Sequence, residues 1–179
     1  MSLPLTPGTY QVDTAHSSAS FSIRHLGISN VRGRLAIPAG QLVVGDDLAS
    51  TNVSASVDVD SLDTNDHSRD AHVKSPDFLD SAAFPTFEFK STSIQSAGEE
   101  YILFGNLTIK GNTRPVELAV EFNGAEKHPF DGATRVGFEA STTISKKDFG
   151  VEFNAPLGAD KFLLSDKLKI SLDMQFIAQ

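Results

Sequence analysis

Asp13, His16 and Ser17 bring the three residue types of a nucleophilic triad into one short stretch. That chemistry needs a base held against the nucleophile, and neighbours along one extended strand alternate faces instead. The expected role of the three is to tie a turn between strands. The histidines (His16, His25, His67, His72 and His128) lack the H-x-H or H-E-x-x-H spacing that sets two imidazoles at metal distance. A metal would need His16, His25 and His72 to meet in the fold, and the motif evidence for that is thin. No metal is expected. His25 stands apart because it shares an apolar face with Phe21 and Ile23. Its first reading is a buried imidazole hydrogen-bonded to a neighbouring loop. Its second is a polar group at a cavity mouth that meets a ligand's head. Arg69 and Asp70 follow Asp66 at the spacing of an ion pair on a helix.

Other apparent motifs lack their partners. Asp148-Phe149-Gly150 spells the kinase magnesium tripeptide, with no Gly-rich loop, strand lysine or catalytic loop beside it. Gly105 and Gly111-Asn112-Thr113 miss the spacing and the lysine of a phosphate loop, and no G-x-S-x-G surrounds any Ser. The chain has no Cys, which removes disulfides, zinc–thiolate sites, iron–sulfur clusters and thiol catalysis together. Neither catalytic residues nor a cofactor are expected.

Composition narrows the partners. The net charge is −8, and no run of basic residues appears, so neither a nucleic-acid backbone nor an anionic membrane surface is an expected partner. No apolar run approaches the roughly 18 residues of a membrane-spanning helix. The first residues show neither the basic nor the apolar region of a secretion signal, which makes the cytoplasm the expected compartment. At 179 residues the chain fits one domain over residues 1–179.

The dominant period is two. Phe21/Ile23/His25, Val31/Gly33/Leu35/Ile37, Val53/Ala55/Val57/Val59 and Phe87/Phe89 each alternate with polar neighbours. Val116–Phe122, Val136–Ile144 and Leu168–Phe176 do the same. Each run reads as a strand with one dry and one wet face. Residues 102–110 are apolar on both faces, which suggests cover by another element or a subunit contact. With a short strand near Tyr10, the count is eight or nine antiparallel strands. Residues 64–74 carry acids early and a Lys late, as a helix prefers. Ser75-Pro76-Asp77 suggests the start of a second short helix carrying Phe78 and Leu79. Residues 146–165 are irregular. A sandwich and a closed barrel both satisfy this alternation; in a barrel of eight strands the dry face lines a lumen that packs solid or holds one small ligand.

Longer motifs add a resemblance. Asp13–Ser17, Phe21–Ser29 and Val31-Arg32-Gly33 resemble the opening signature of the YceI-like family. Ser61–Thr64, Arg69–Ser75, Asp77-Phe78-Leu79 and Phe84–Phe89 resemble its middle one. Gly105–Gly111 with Arg114-Pro115-Val116, and Lys147–Gly150, resemble its later ones. Leu35, Asn112 and Lys147 are mild departures. The resemblance implies an all-β, extended eight-stranded antiparallel lipocalin-like barrel with short helices inserted around residues 64–82. It implies a bacterial homodimer whose lumen holds a polyisoprenoid or other long-chain lipid, with relatives tied to stress responses. It carries over no catalytic residue, and a binding or carrier role follows rather than an enzyme. The alternatives are an enzyme acting on an isoprenoid lipid, and a ligand-free stress-response assembly protein.

Thirteen of the fifteen aromatic residues are Phe, rings without a hydrogen-bonding handle. Under this resemblance they become a positional expectation. Phe21, Phe87, Phe89 and Phe138 should line the lumen with Ile23, His25, Val31, Leu35 and Ile170. Phe78, Leu79, Phe84, Phe149 and Phe153 should crowd its mouth.

Overall fold

The computed structural model describes residues 2–179. The period-two runs become strands β1 (Gly8–Val12), β2 (Ser18–His25), β3 (Ser29–Ala36), β4 (Ala39–Val44) and β5 (Asn52–Asp58). After helix α1 (His67–Lys74) come β6 (Thr86–Ala97), β7 (Glu100–Ile109), β8 (Asn112–Lys127) and β9 (Thr134–Ser145). A small hairpin, β10 (Pro156–Gly158) with β11 (Lys161–Phe162), precedes β12 (Leu164–Ala178). Neighbours pair antiparallel in the order β1-β4-β5-β6-β7-β8-β9-β12, and β12 pairs back to β1. The result is a closed eight-stranded antiparallel barrel. Closure removes most of the sheet edges that a sandwich would have to protect; the far edge of β3 carries only one bridge, between Arg34 and Asp63.

Two staves of this barrel are broken. Along one edge of β12, β1 takes the end near Ala178 and β2 takes Leu164 to Asp173. The partners β4 and β3 split in the same way. At the β1/β2 break, Asp13 accepts hydrogen bonds from Gln175 Nε2 (2.9 Å) and pairs with His16 Nδ1 (3.0 Å). Ser17 Oγ donates to the Gln175 carbonyl and accepts the Gln175 N–H. The would-be triad is thus a clasp between strands.

Burial pushes the Asp13 carboxyl up, but hydrogen bonds from His16 and Gln175 outweigh it and hold its pKa below the ordinary 3.8. A depressed carboxylate pKa stabilises the fold above the unfolded value, and that contribution fades as pH falls through the folded one. Asp13→Asn should lower stability near neutrality and shrink the loss seen on acidification below pH 3.8. Urea melts at neutral and acid pH compare the two; an unchanged difference between them would contradict the assignment.

The insertion differs from its expectation. α1 begins at His67 because the Asp66 side chain caps it, accepting the Arg69 N–H. Residues 75–83 form turns, not a second helix. The N–H groups of Leu79 and Ser81 bond back to Val73 and Lys74 carbonyls, and Asp80 adopts a left-handed φ of 50°. The chain therefore wraps the end of α1 instead of starting a new helix. Nor do Arg69 and Asp70 form a helical ion pair with Asp66. Arg69 donates to Thr64 Oγ1 and Thr64 O, while Asp70 accepts from Thr64 N and Oγ1.

Candidate functional site

The barrel encloses a cavity of about 840 Å³. The inward faces of the strands and the two insertions contribute its lining. β2 supplies Phe21, Ile23 and His25, β3 supplies Val31 and Leu35, and β6 supplies Phe87 and Phe89. Phe138 comes from β9, Ile170 from β12, and Phe78, Leu79, Phe149 and Phe153 from the two irregular insertions. Phe84 is the exception. It precedes β6, where strand alternation does not set direction, and it is absent from the cavity lining. Its ring lies over Gly111, where an added Cβ would sit 2.8 Å from Phe84 Cε1.

The lumen is polarised along its axis. At the end near the β8–β9 turn it is closed by a packed cluster that includes Tyr10, Leu42, Val44, Val136 and Phe176. Polar lining groups gather at the opposite end, where α1, the β2–β3 turn and residues 146–163 meet. Those at this end include His25, Ser29, Thr64, Arg69, His72 and Lys146. No Asp or Glu belongs to the lining. The protein is acidic, yet the charge that reaches its cavity is cationic.

An aromatic bracket ties the two insertions together at this end. His72 packs edge-on against Phe78 and Phe153 (ring centroids 5.0 Å in both cases), and those two rings lie 4.8 Å apart. Asp77 Oδ2 holds His72 Nε2 at 2.9 Å. Behind the bracket sits Lys146, only 5% exposed. Its Nζ donates to the carbonyls of Val151 and Phe153, each at 3.2 Å. Burial pushes the ammonium pKa down, and the nearby Asp166 carboxylate partly offsets this. Ser145 Oγ and the Lys147 N–H in turn hold that carboxylate. Lysine has three donors, so one N–H remains for a ligand acceptor.

His25 lines the cavity, and its ring has no hydrogen-bond partner among the described residues. This excludes a loop-bonded imidazole and agrees with the position, at the mouth, of its second reading. His16, His25 and His72 do not converge: His16 belongs to the Asp13 clasp and His72 to the bracket. Lys146 escaped the sequence reading because it opens an irregular stretch. The available signal was parity, since Phe138, Ala140, Thr142 and Ile144 face inward and Lys146 continues that series.

An antiparallel barrel with an apolar lumen, polar at one mouth and packed shut at the other, has the architecture of the lipocalin-like barrels. The YceI-like domain model matches residues 10–176, and the chain belongs to that family. A UPF0312 protein of Vibrio cholerae is 36% identical over 169 residues, covering 91% of this chain and 87% of the relative. One from Staphylococcus aureus is 33% identical over 169 residues, covering 93% and 96%. Among solved structures, Burkholderia cenocepacia BcnA superposes with a TM-score of 0.73 at 24% identity, covering 92% of this chain and 98% of that one. A structure described as a polyisoprenoid binding domain from Saccharophagus degradans, implicated in plant cell wall breakdown, gives 0.68 at 13% identity, covering 95% and 98%. These two likenesses establish the shared fold.

Proposed function

We propose that the chain binds one long-chain amphiphile, an isoprenoid or a lipid of similar length. Its chain runs down the lumen and its head sits among the donors at the α1 end. The polarity gradient along the cavity carries this reading, and the Saccharophagus domain described as polyisoprenoid-binding supports it. A 150 Å³ engineered cavity in another protein accommodates benzene, roughly 25 Å³ per carbon. By that scale about 840 Å³ holds on the order of 30 carbons. At about 0.3 kcal/mol per heavy atom such a ligand gains roughly 10 kcal/mol, a dissociation constant of tens of nanomolar.

The role proposed is holding, not conversion. Arg69 is committed to Thr64, His72 to Asp77 and Lys146 to two carbonyls, so the donors at the mouth are set by the fold and aimed at acceptors. The test is solvent extraction of gently purified protein followed by mass spectrometry. The expected result is a stoichiometric long-chain lipid. Ala140→Phe, which fills the mid-lumen without touching the mouth, should reduce that lipid several-fold while the protein stays folded. Repeated absence of lipid from the native protein, with no uptake of added long-chain lipid, would overturn the reading.

A further inference from the structure

The fold leaves five large apolar side chains exposed among the described residues, and four of them stand together. Leu26 (43% exposed) and Ile28 (80%) occupy the β2–β3 turn; Leu157 (47%) and Phe162 (52%) occupy the β10–β11 hairpin. Leu26 N–H donates to Leu163 O at 2.8 Å, and His25 pairs with Leu164, so the two loops form one rim. The next residues inward, His25, Ser29, Leu163 and Leu164, line the cavity. The rim therefore borders the polar mouth of the lumen, and the described residues hold no second exposed apolar cluster. The fifth exposed residue, Phe130, lies on the β8–β9 turn at the closed end.

Cations stand beside this rim. On the outer face of β12, β2 and β3, Lys169 is opposite Ser22, and Ser22 is opposite Arg32. Lys167 and Arg24 lie on the same face, one step nearer the rim. None of the four pairs with a carboxylate among the described residues. Lys161 and Asp160 offset each other at the hairpin tip. The sequence shows no basic run because these residues alternate along three strands and become neighbours only in the sheet. The expectation that an anionic membrane surface is an unsuited partner rests on composition, which does not show this clustering.

We propose that this end of the barrel docks on an anionic bilayer, resting on the lipid-binding reading above. Ile28, Phe162 and their neighbours enter the boundary between headgroups and acyl chains, while Arg24, Arg32, Lys167 and Lys169 face the phosphates. An amphipathic surface with an apolar edge and flanking cations binds membranes in this way. The geometry sets the open mouth against the bilayer, so a lipid can pass without crossing water. The charge pattern also fits a nucleic-acid backbone, but that partner would leave the apolar rim contiguous with it in water, whereas a bilayer matches both.

Co-sedimentation with phosphatidylcholine vesicles, with and without an equal part of phosphatidylglycerol, tests the proposal. Binding should favour the anionic vesicles and weaken with salt. Ile28→Asp with Phe162→Asp should weaken it at least about tenfold, and Arg24→Gln with Lys169→Gln about thirtyfold. Phe130→Asp should leave it unchanged. All variants should keep the wild-type lipid content, which separates docking from loading. Loss of lipid without loss of docking would count against the cavity reading alone. Failure of the wild type to bind either vesicle, equal binding by the rim variants, or a rim variant that alters only the oligomeric state would overturn the proposal.

Discussion

Lys146→Met should destabilise the barrel by about 2–4 kcal/mol and weaken retention of an acceptor-headed lipid. The substitution keeps the apolar stem but removes both donors from the Val151 and Phe153 carbonyls. Each buried acceptor left unpaired costs about 1–3 kcal/mol. The Val151 residue is buried and has no access to water in compensation, whereas Phe153 is only half-buried. Relief of the desolvated charge reduces the net loss. For a chain of this size the expected fall in Tm is on the order of 5–15 °C. Lys146→Gln keeps an NH₂ donor and should recover part of it. The native protein also carries an alkaline signature. Burial holds the Lys146 pKa below 10.5, so between the folded and unfolded values the unfolded chain binds more protons, and stability climbs with pH. Lys146→Met should lose that climb. Melts across this range, paired with binding of a fluorescent long-chain lipid, give the answer. A variant as stable as wild type, with an unchanged alkaline branch, would remove Lys146 from the site.

Legibility followed the period of the chain. Phe21, Ile23, Val31, Leu35, Phe87, Phe89, Phe138 and Ile170 reach the cavity because strand alternation determines side-chain direction before tertiary contacts form. Closure was not legible in the same way. It depends on β12 being long enough to pair with β9 along one edge and with both β1 and β2 along the other. Where periodicity stops, local rules competed. Ser75-Pro76-Asp77 has the composition of a helix start, yet Ser75 closes α1: its N–H and Oγ both donate to His72 O. Phe84 was grouped with its aromatic neighbours by proximity; it precedes β6, so no strand period set its direction. The cationic mouth was the least visible feature, because Arg69 on α1 and Lys146 after β9 lie on separate segments joined only by the fold.

Gly105→Val should be among the most damaging single changes in the wall. A Cβ at Gly105 would stand 2.4 and 2.5 Å from ring carbons of Phe89 and 2.6 Å from the Lys90 carbonyl oxygen. The glycine on β7 gives the Phe89 ring room to lie flat against the neighbouring strand, a pairing of aromatic and glycine known from sheets. Gly33 makes the same allowance for Phe21, with ring carbons 2.5 and 2.6 Å from its Cβ position. At Gly33 the nearest clashes are with side chains; at Gly105 backbone is also in the way, and β6 must shift. Overpacking of this kind costs about 1–3 kcal/mol for modest insertions, and valine should reach or exceed the upper end. The displaced Phe89 ring has only the lumen to enter, so lipid capacity should fall along with Tm. Gly137→Ala provides the control, because its nearest neighbour outside the adjoining chain, Asn123 Cβ, is 3.7 Å away, an ordinary contact. Phe89→Leu combined with Gly105→Ala should recover part of the loss, showing coupling between the two sites in a double-mutant cycle. If Gly105→Ala melts with Gly137→Ala and carries as much lipid as wild type, the flat-lying Phe89 is not what shapes this side of the cavity.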